Sequence, residues 1–241
     1  MQAISGAAQS IKGAMAGGPD AKEVPGVLQR PMEEVKAEYE SVCAGCVNAE
    51  SSSKTFVRQN YSEKCETMVN RMLNSYLNQS YISTSMSAYF HNDTVALPGV
   101  AAFMKANADR AKQDALQLLD YQNMRGGKVV LASIAMPKAE YFEEAAGDAL
   151  HAYELLLALN KLNFAKLREL HAAAREDEDP ELQDFVNSKL HELALAIREM
   201  GSYVCELKRV GTGHGVFHFD RRVEKRHGHV LSATVKLPVT M

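Results

Sequence analysis

The sequence predicts an all-α fold, a bundle of four long helices with one long crossover. Two observations carry this prediction. Four stretches of the chain place apolar side chains at steps of three and four residues, which is the period of an amphipathic helix. The links between these stretches are short, long and short in turn, and this order is typical of two antiparallel hairpins joined by a crossover.

The first two predicted helices have clear boundaries. From Ser62 to about His91, apolar side chains recur at helical spacing over roughly 30 residues. Pro98 then stands where the first turn of a helix tolerates proline. The second stripe continues to Gly126 and Gly127, which end it.

The third predicted helix runs from about Ala139 to Ala174 on a stripe rich in leucine. The fourth begins after Asp179, a favoured N-cap residue, and Pro180, a residue favoured in the first helical turn. It continues to Gly211. Between the second and third helices, residues 126–137 are numerous enough to run along a helix in extended form, at about 3.3 Å per residue.

Composition excludes several classes of function. The chain has 241 residues, is 46 % hydrophobic and carries a net charge of -3, so it can bury one full core and has no electrostatic reason to bind nucleic acid. No apolar run approaches the roughly 18 residues of a membrane span. We therefore expect no nucleic-acid partner and no membrane span.

The four cysteines are too few for a disulfide-stapled secreted domain of this length. Cys43 and Cys46 form a CxxC motif that suits a redox pair or half of a zinc site. There is no second CxxC and no neighbouring histidine, which favours inert thiols.

Several blocks of the sequence resemble ferritin, and the last of them resembles the plant and algal branch: residues 91–103, 121–137, 147–163 and 207–220. Residues 26–39 are similar to the extension peptide of plastid ferritins. The resemblance covers about residues 26–220. It implies a ferritin-like four-helix bundle with a short fifth helix and an N-terminal extension.

The resemblance also implies an organisation of the chain. Residues 1–24 are a flexible tail or the remnant of a transit peptide, and residues 25–60 an extension peptide and linker. The bundle spans residues 61–211, and residues 212–241 form a short C-terminal helix and tail. We expect a plastid location, with another organelle or the cytoplasm as alternatives.

In ferritins, 24 subunits form a hollow shell, and a di-iron centre within each bundle oxidises Fe(II). Such a centre needs carboxylates and one imidazole, because hard iron ions prefer oxygen ligands. Carried over to this chain, the ligand positions fall on residues of another kind: Tyr76, Arg110, Gln113, Asn160 and Leu193. None of the five family ligands is present at these positions.

Arg110 carries most weight in this comparison. Arginine stays protonated, and a guanidinium about 4 Å from a ferrous ion would cost about 8 kcal/mol at an effective dielectric constant of 20. We expect Arg110 to point into the bundle, exclude the metal and pair with a carboxylate such as Glu154 or Asp109. The alternative is that Arg110 is a solvated surface residue.

The pattern resembles the light chain of animal ferritin, which does not oxidise iron and instead offers glutamates for mineral nucleation. The corresponding stretch here offers only Asp109. At the three-fold channel, Asp184 matches an acidic family position, but Asn187 follows one turn later. Asp109 and Asp184 are thus the candidate metal ligands, although a lone aspartate on a helix, such as Asp184, is more often an ordinary solvated residue.

Two further departures concern assembly. Between Phe185 and Glu192 the chain is one residue shorter than the family pattern, which turns the rest of the helix by about 100° unless a kink or bulge absorbs it. The fifth helix crowds four basic residues together, and we expect four copies around one axis to repel: Arg221, Arg222, Lys225 and Arg226. Ferritin crossovers meet at a two-fold axis, so residues 126–137 predict that contact.

The resulting hypothesis is a catalytically inactive ferritin-like subunit with a structural role, in a mixed ferritin shell or in another multi-subunit assembly. Its partners are other protein subunits. We expect no ferroxidase activity and no metal cofactor in the bundle, and iron only if the family role is kept. The alternative is an iron-storage ferritin that oxidises Fe(II) and stores it as a mineral.

Overall fold

A computed structural model describes residue 55 and residues 57–228 of the chain. Within that part, five α-helices follow one another and no β-strand occurs: α1 (Glu63–His91), α2 (Pro98–Met124), α3 (Asp148–Glu176), α4 (Pro180–Val210) and α5 (His214–His227). The predicted tail, residues 25–54 and 56 of the predicted extension peptide and linker with Cys43 and Cys46, and the residues after Gly228 lie outside the described part. The predicted all-α bundle with a short fifth helix is confirmed.

The helices begin and end where local signals direct them. Ser62 caps α1 by accepting a hydrogen bond from the backbone N–H of Cys65, and Asp179 caps α4 by accepting one from Leu182. Pro98 and Pro180 occupy first-turn positions of α2 and α4. The predicted bounds of the first, second and fourth helices are confirmed to within a few residues.

The third helix begins later than the sequence pattern predicts. The expected start near Ala139 is wrong, because α3 starts at Asp148. Residues 140–143 are irregular, residues 144–146 form one turn, and Gly147 follows with a φ of 82° that suits glycine. Tyr141 turns into the core beside Tyr89 instead of continuing a helical stripe. The link between the hairpins is therefore longer than residues 126–137.

Three asparagines of α1 hold this link against the bundle. Asn70 donates to the carbonyl of Lys128 and accepts from the N–H of Val130, and Asn74 makes the same pair of bonds two residues further on. Asn78 accepts from the N–H of Ala135. Spaced four residues apart, they fix the register of the extended segment and leave apolar side chains exposed on its outer side: Val130, Leu131, Ile134 and Met136.

α4 is one continuous α-helix from Pro180 to Val210, with no interruption and no π-helical turn. Its buried positions keep steps of three and four residues across the segment where the sequence is shorter than the family pattern: Leu182, Val186, Lys189, Leu193, Ala196 and Met200. The shorter segment is therefore accommodated by a regular helix with a single buried face.

α5 packs on the bundle of its own chain. The buried carboxylate of Asp220 accepts a hydrogen bond of 2.9 Å from the N–H of Val100, so it caps α2, whose own N-cap residue Leu97 provides no side-chain bond. The approach is close: a Cβ atom on Gly99 would lie 2.0 Å from the carbonyl oxygen of Asp220. α5 thus completes the N-terminal end of α2.

The basic cluster of α5 is largely neutralised within the chain. Arg222 pairs with Glu206 through both guanidinium nitrogens, Arg221 pairs with Glu224, and Arg226 lies 3.6 Å from Glu199. Among the described residues only Lys225 of the four has no ion pair. Three of the four charges thus have carboxylate partners, which lowers the repulsion to be expected between copies, and the behaviour at a four-fold axis stays a prediction.

Within residues 55 and 57–228, no helix is both long enough and apolar enough to cross a bilayer.

Candidate functional site

One cavity of about 420 Å³ lies among all four long helices. The five positions that the sequence comparison selected all line it: Tyr76, Arg110, Gln113, Asn160 and Leu193. The structure therefore brings together residues that are up to 117 positions apart in the sequence, although not all of them point inward.

Three of the five lie inside the bundle. Tyr76, Asn160 and Leu193 are all buried. The amide of Asn160 donates to the carbonyl of Leu156 at 2.8 Å and to the sulfur of Met200 at 3.2 Å, and it accepts from Gln79. An amide engaged in this way, a phenol and a leucine supply no anionic oxygen to the cavity.

Arg110 and Gln113 lie at the rim of the cavity and are exposed. The expectation that Arg110 points into the bundle is wrong. Its expected partners are engaged elsewhere, since Asp109 pairs with Lys105 at 2.5 Å and Glu154 with Lys208 at 2.7 Å. Arg110 forms no ion pair with any described residue.

The inward pair on α2 lies one residue further along. Ala111 is buried and Asp114 is half-buried, and both line the cavity three residues apart. The physical reason is the phase of the helix, because Ala111 and Ala115 share the buried stripe of α2 and Arg110 falls outside it. Asp114 is thus the α2 residue that brings a carboxylate to the cavity.

The buried positive charge of the cavity is Lys189 of α4, whose side chain is only 6 % exposed. Its ammonium donates to Asp114 at 2.8 Å and to Glu192 at 3.1 Å, and also to the side-chain oxygen of Gln117. These bonds join α4 to α2 across the cavity. A fixed cation does occupy the bundle, but it comes from a different helix than the sequence predicted.

The electrostatics of the cavity keep this lysine charged and the nearby phenol neutral. Burial alone would lower the pKa of Lys189, but the hydrogen bond and charge of Asp114, with those of Glu192, outweigh burial and raise it. Burial raises the pKa of Tyr76, and the charges of Asp114 and Glu192 raise it further. Tyr76 is therefore a neutral phenol at neutral pH.

A chain of polar side chains leads from the cavity to the opposite face of the bundle. Gln79 donates to Asn160 at 3.4 Å and accepts from Asn163 at 2.5 Å. Asn163 in turn accepts from Ser75, which accepts from the half-buried ammonium of Lys166 at 2.8 Å. These bonds tie α1 to α3 and satisfy the buried amides.

These side chains do not suit a di-iron centre. The carboxylates that line the cavity are Asp114, Glu192 and Glu199, and the first two already bind the ammonium of Lys189. No imidazole lines the cavity. In the described part of the chain, no group of three His, Cys, Asp or Glu side chains is arranged to hold a metal ion.

The two candidate metal ligands lie apart from the cavity lining. Asp109 is exposed on α2 in its ion pair with Lys105. Asp184 is exposed near the start of α4, and Asn187 is exposed one turn later. Neither residue belongs to a group of three potential metal ligands in the described part of the chain, so each remains a proposal that depends on neighbouring subunits.

Sequence reasoning missed Lys189 and Asp114, the pair that dominates the cavity. The signal for Lys189 was a charged residue on the apolar stripe of α4, between Val186 and Leu193. A lysine at such a position is almost never fully buried unless it is paired. The signal for Asp114 was its spacing of three residues from Ala111 on the buried face of α2.

Comparison with known proteins agrees with the fold and with the arrangement of the helices. The family described as ferritin-like domain matches residues 66–210. Ferritin-3, chloroplastic, of Glycine max is 42 % identical over 208 residues, which cover 86 % of this chain and 79 % of that protein. Ferritin-2, chloroplastic, of Nicotiana tabacum is 44 % identical over 205 residues, covering 85 % and 77 %.

Among solved structures, the ferritin of the multicellular green alga Ulva pertusa superposes with a TM-score of 0.71. It is 37 % identical in sequence, and the match covers 81 % of this chain and 98 % of the algal chain. The matched family spans all four long helices that surround the cavity. The chain therefore belongs to the ferritin family.

Proposed function

We propose that this chain is a plastid subunit of an iron-storing ferritin shell, and that its own bundle does not oxidise Fe(II). The family membership and the relatives named chloroplastic ferritins support the storage role and the plastid location. They favour the storage alternative over a structural role in an unrelated assembly. The loss of ferroxidase chemistry is the part of the proposal that rests on this chain alone.

The observation that supports the absence of Fe(II) oxidation is the set of ion pairs around the buried Lys189. A lysine ammonium with carboxylates from two helices around it leaves those oxygens engaged with a tethered cation. A ferrous ion in the same space would face a fixed positive charge at short range, which is strongly unfavourable at any effective dielectric of a protein interior. Iron is here the cargo of the shell, and this bundle gives it no oxidation site.

Two surfaces support assembly into a shell. The segment 126–137 carries exposed apolar side chains that a second copy would cover: Val130, Leu131, Ile134 and Met136. The α5 cluster has three of its four basic residues paired within the chain. We propose that residues 126–137 form the two-fold contact, as the family resemblance implies.

Stopped-flow absorbance of Fe(II) oxidation tests the proposal. The purified chain should oxidise Fe(II) no faster than buffer does, whereas a ferritin with a complete carboxylate and histidine set should show a rapid phase. A rapid phase that saturates at about two irons per chain, the stoichiometry of a di-iron bundle site, would refute the inactive bundle and support an oxidising ferritin instead.

The proposed role in an iron-storing shell is tested separately by iron loading. Mixed with an oxidising ferritin during reassembly, the chain should co-elute with iron in one particle by size-exclusion chromatography with iron absorbance. Elution of the chain apart from the iron-loaded particle would contradict a role in the shell and leave only the inactive bundle.

A further inference from the structure

The oxygens around Lys189 form a cage of a kind that usually holds a cation. Carboxylate oxygens of Asp114 and Glu192 lie 2.8 Å and 3.1 Å from its Nζ atom, and the amide oxygen of Gln117 also accepts from it. These oxygen atoms belong to side chains of α2 and α4, so they meet at one point only because the two helices pack there. Hard oxygen donors of this kind suit a divalent cation such as Mn²⁺.

The ammonium fills that cage from the chain itself. Lys189 is 6 % exposed and Asp114 is 17 % exposed, whereas Glu192 at the rim is 64 % exposed. The cage is therefore closed on its inner side and open toward solvent, the direction from which an ion would have to arrive. An ion that arrives from solvent would meet the Lys189 ammonium. This ammonium is covalently attached to the chain and cannot diffuse away.

We infer that Lys189 is a tethered cation that holds the place of a metal ion, and that it specifies this bundle as metal-free. The inference deepens the proposed function and rests on it, because it names the residue that excludes metal from the cavity. The residues at the family ligand positions do not suit iron, and Lys189 occupies the remaining oxygen donors. Removal of its charge should therefore convert the cage into a weak cation site.

The inference predicts a gain of binding by substitution. Lys189→Ala should bind one Mn²⁺ per chain at least about tenfold more tightly than the unsubstituted chain, measured by isothermal titration calorimetry. Lys189→Ala combined with Asp114→Asn should lose that gain, because it lacks the inner carboxylate. Lys208→Ala, which removes an exposed lysine paired with Glu154, is the matched control and should bind as the unsubstituted chain does.

A second variant covers the case in which the alanine substitution prevents folding. Lys189→Gln keeps a donor for Asp114 without the charge, and Mn²⁺ should raise its melting temperature but not that of the unsubstituted chain or of Lys208→Ala. Equal Mn²⁺ binding by Lys189→Ala, Lys189→Gln and the unsubstituted chain would overturn the inference. Mn²⁺ binding by the unsubstituted chain that Asp114→Asn abolishes would overturn it as well.

These outcomes are separate from those of the proposed function. Mn²⁺ binding to the substituted cage reports on the role of Lys189 and involves no oxidation. Rapid Fe(II) oxidation by the unsubstituted chain would refute the inactive bundle even if the cage gains Mn²⁺ on substitution. Absence of that gain would overturn the role of Lys189 even if the chain oxidises no iron.

Discussion

At the scale of single residues, the bundle keeps a buried charge by surrounding it with acceptors. Lys189 lies on the inner face of α4, and Asp114 and Gln117 of α2 meet it with Glu192 of its own helix. An ion pair of this kind adds little net stability over a well-packed apolar pair, but loss of one partner leaves the other charge buried and unpaired. We therefore expect the loss of one partner to reduce stability much more in this buried pair than in a pair at the surface.

Asp114→Ala should lower the free energy of unfolding by about 3 kcal/mol. This is the low end of the range for breaking a buried pair, and we choose it because the cavity is open to solvent at its rim. Asp109→Ala, which breaks the exposed pair with Lys105, should cost less than about 0.5 kcal/mol. Urea denaturation of both variants measures the difference. Similar small losses would place the Lys189 ammonium in solvent.

Asp177, which directly follows the last residue of α3, provides a pH-dependent contact with the start of α1. Hydrogen bonds from the Ser62 hydroxyl and the Cys65 thiol lower the pKa of its carboxyl. The stability that this contact contributes is therefore complete above the unfolded pKa of about 3.9 and is lost as the pH falls through the lower folded value.

Asp177→Asn should accordingly reduce the melting temperature most at pH 5 and above, and the difference from the unsubstituted chain should shrink toward pH 2. Asp120→Asn, an exposed aspartate on α2, is the control and should show no such trend. Melting curves from pH 2 to pH 6 check this, and a gap that stays constant with pH would argue against the contact.

At the scale of elements, periodicity and capping residues were sufficient for α1, α2 and α4, because each has a clear start signal and one buried face. They failed at the start of α3, since residues 139–147 are rich in alanine and glutamate yet are irregular apart from one turn at residues 144–146, before Gly147. The site was missed by one residue for a related reason. A spacing of three fits Arg110 with Gln113 as well as Ala111 with Asp114, and the phase of the buried stripe of α2, which includes Ala111 and Ala115, decides which pair points inward.

Contacts between elements that are distant in sequence left no local signal. The cap that Asp220 of α5 supplies to α2 joins residues 120 positions apart. Nothing in the sequence near Pro98 indicates that its helix is capped from elsewhere. Such contacts follow from tertiary packing, which overrides what local patterns can indicate.

Two glycines test this packing in opposite directions. Gly99→Ala should separate α5 from α2 and destabilise the fold strongly, because the new methyl group would collide with the backbone of Asp220 and Glu224. Gly201→Ala, within α4 and with no atom within 4 Å of the added Cβ apart from the adjoining helix backbone, should stabilise by about 0.5–1 kcal/mol. Thermal unfolding of both variants compares them, and an unchanged melt for Gly99→Ala would contradict the close approach of α5.

At the scale of the whole molecule, the cluster of basic residues in the α5 sequence suggests that a shell would not close. Family membership and the ion pairs of α5 favour a shell instead. Four clusters of unpaired arginine and lysine would repel around one axis, whereas pairs with Glu206, Glu224 and Glu199 remove most of that cost. A shell of identical subunits closes only when every axis is compatible. We propose the crossover, with its exposed apolar side chains, as a second surface that suits such a shell.

The purified chain should therefore form a large particle in multi-angle light scattering at moderate salt. A closed shell of 24 chains of 26.5 kDa would have a mass of about 640 kDa. Glu206→Gln, which leaves Arg222 without its carboxylate, should shift the distribution toward smaller species at low salt. A homogeneous monomer or dimer for the unsubstituted chain would contradict the shell and leave co-assembly with other subunits.

The central claim is that Lys189 keeps metal out of the cavity of this bundle, and anomalous X-ray diffraction tests it most directly. Crystals of the full chain are soaked in ferrous iron under anaerobic conditions and measured on both sides of the iron absorption edge. The predicted result is no anomalous peak among Asp114, Glu192 and Tyr76, with the Lys189 ammonium in contact with Asp114. An iron peak bound by Asp114 and Glu192, with the Lys189 side chain turned out to solvent, would contradict the claim.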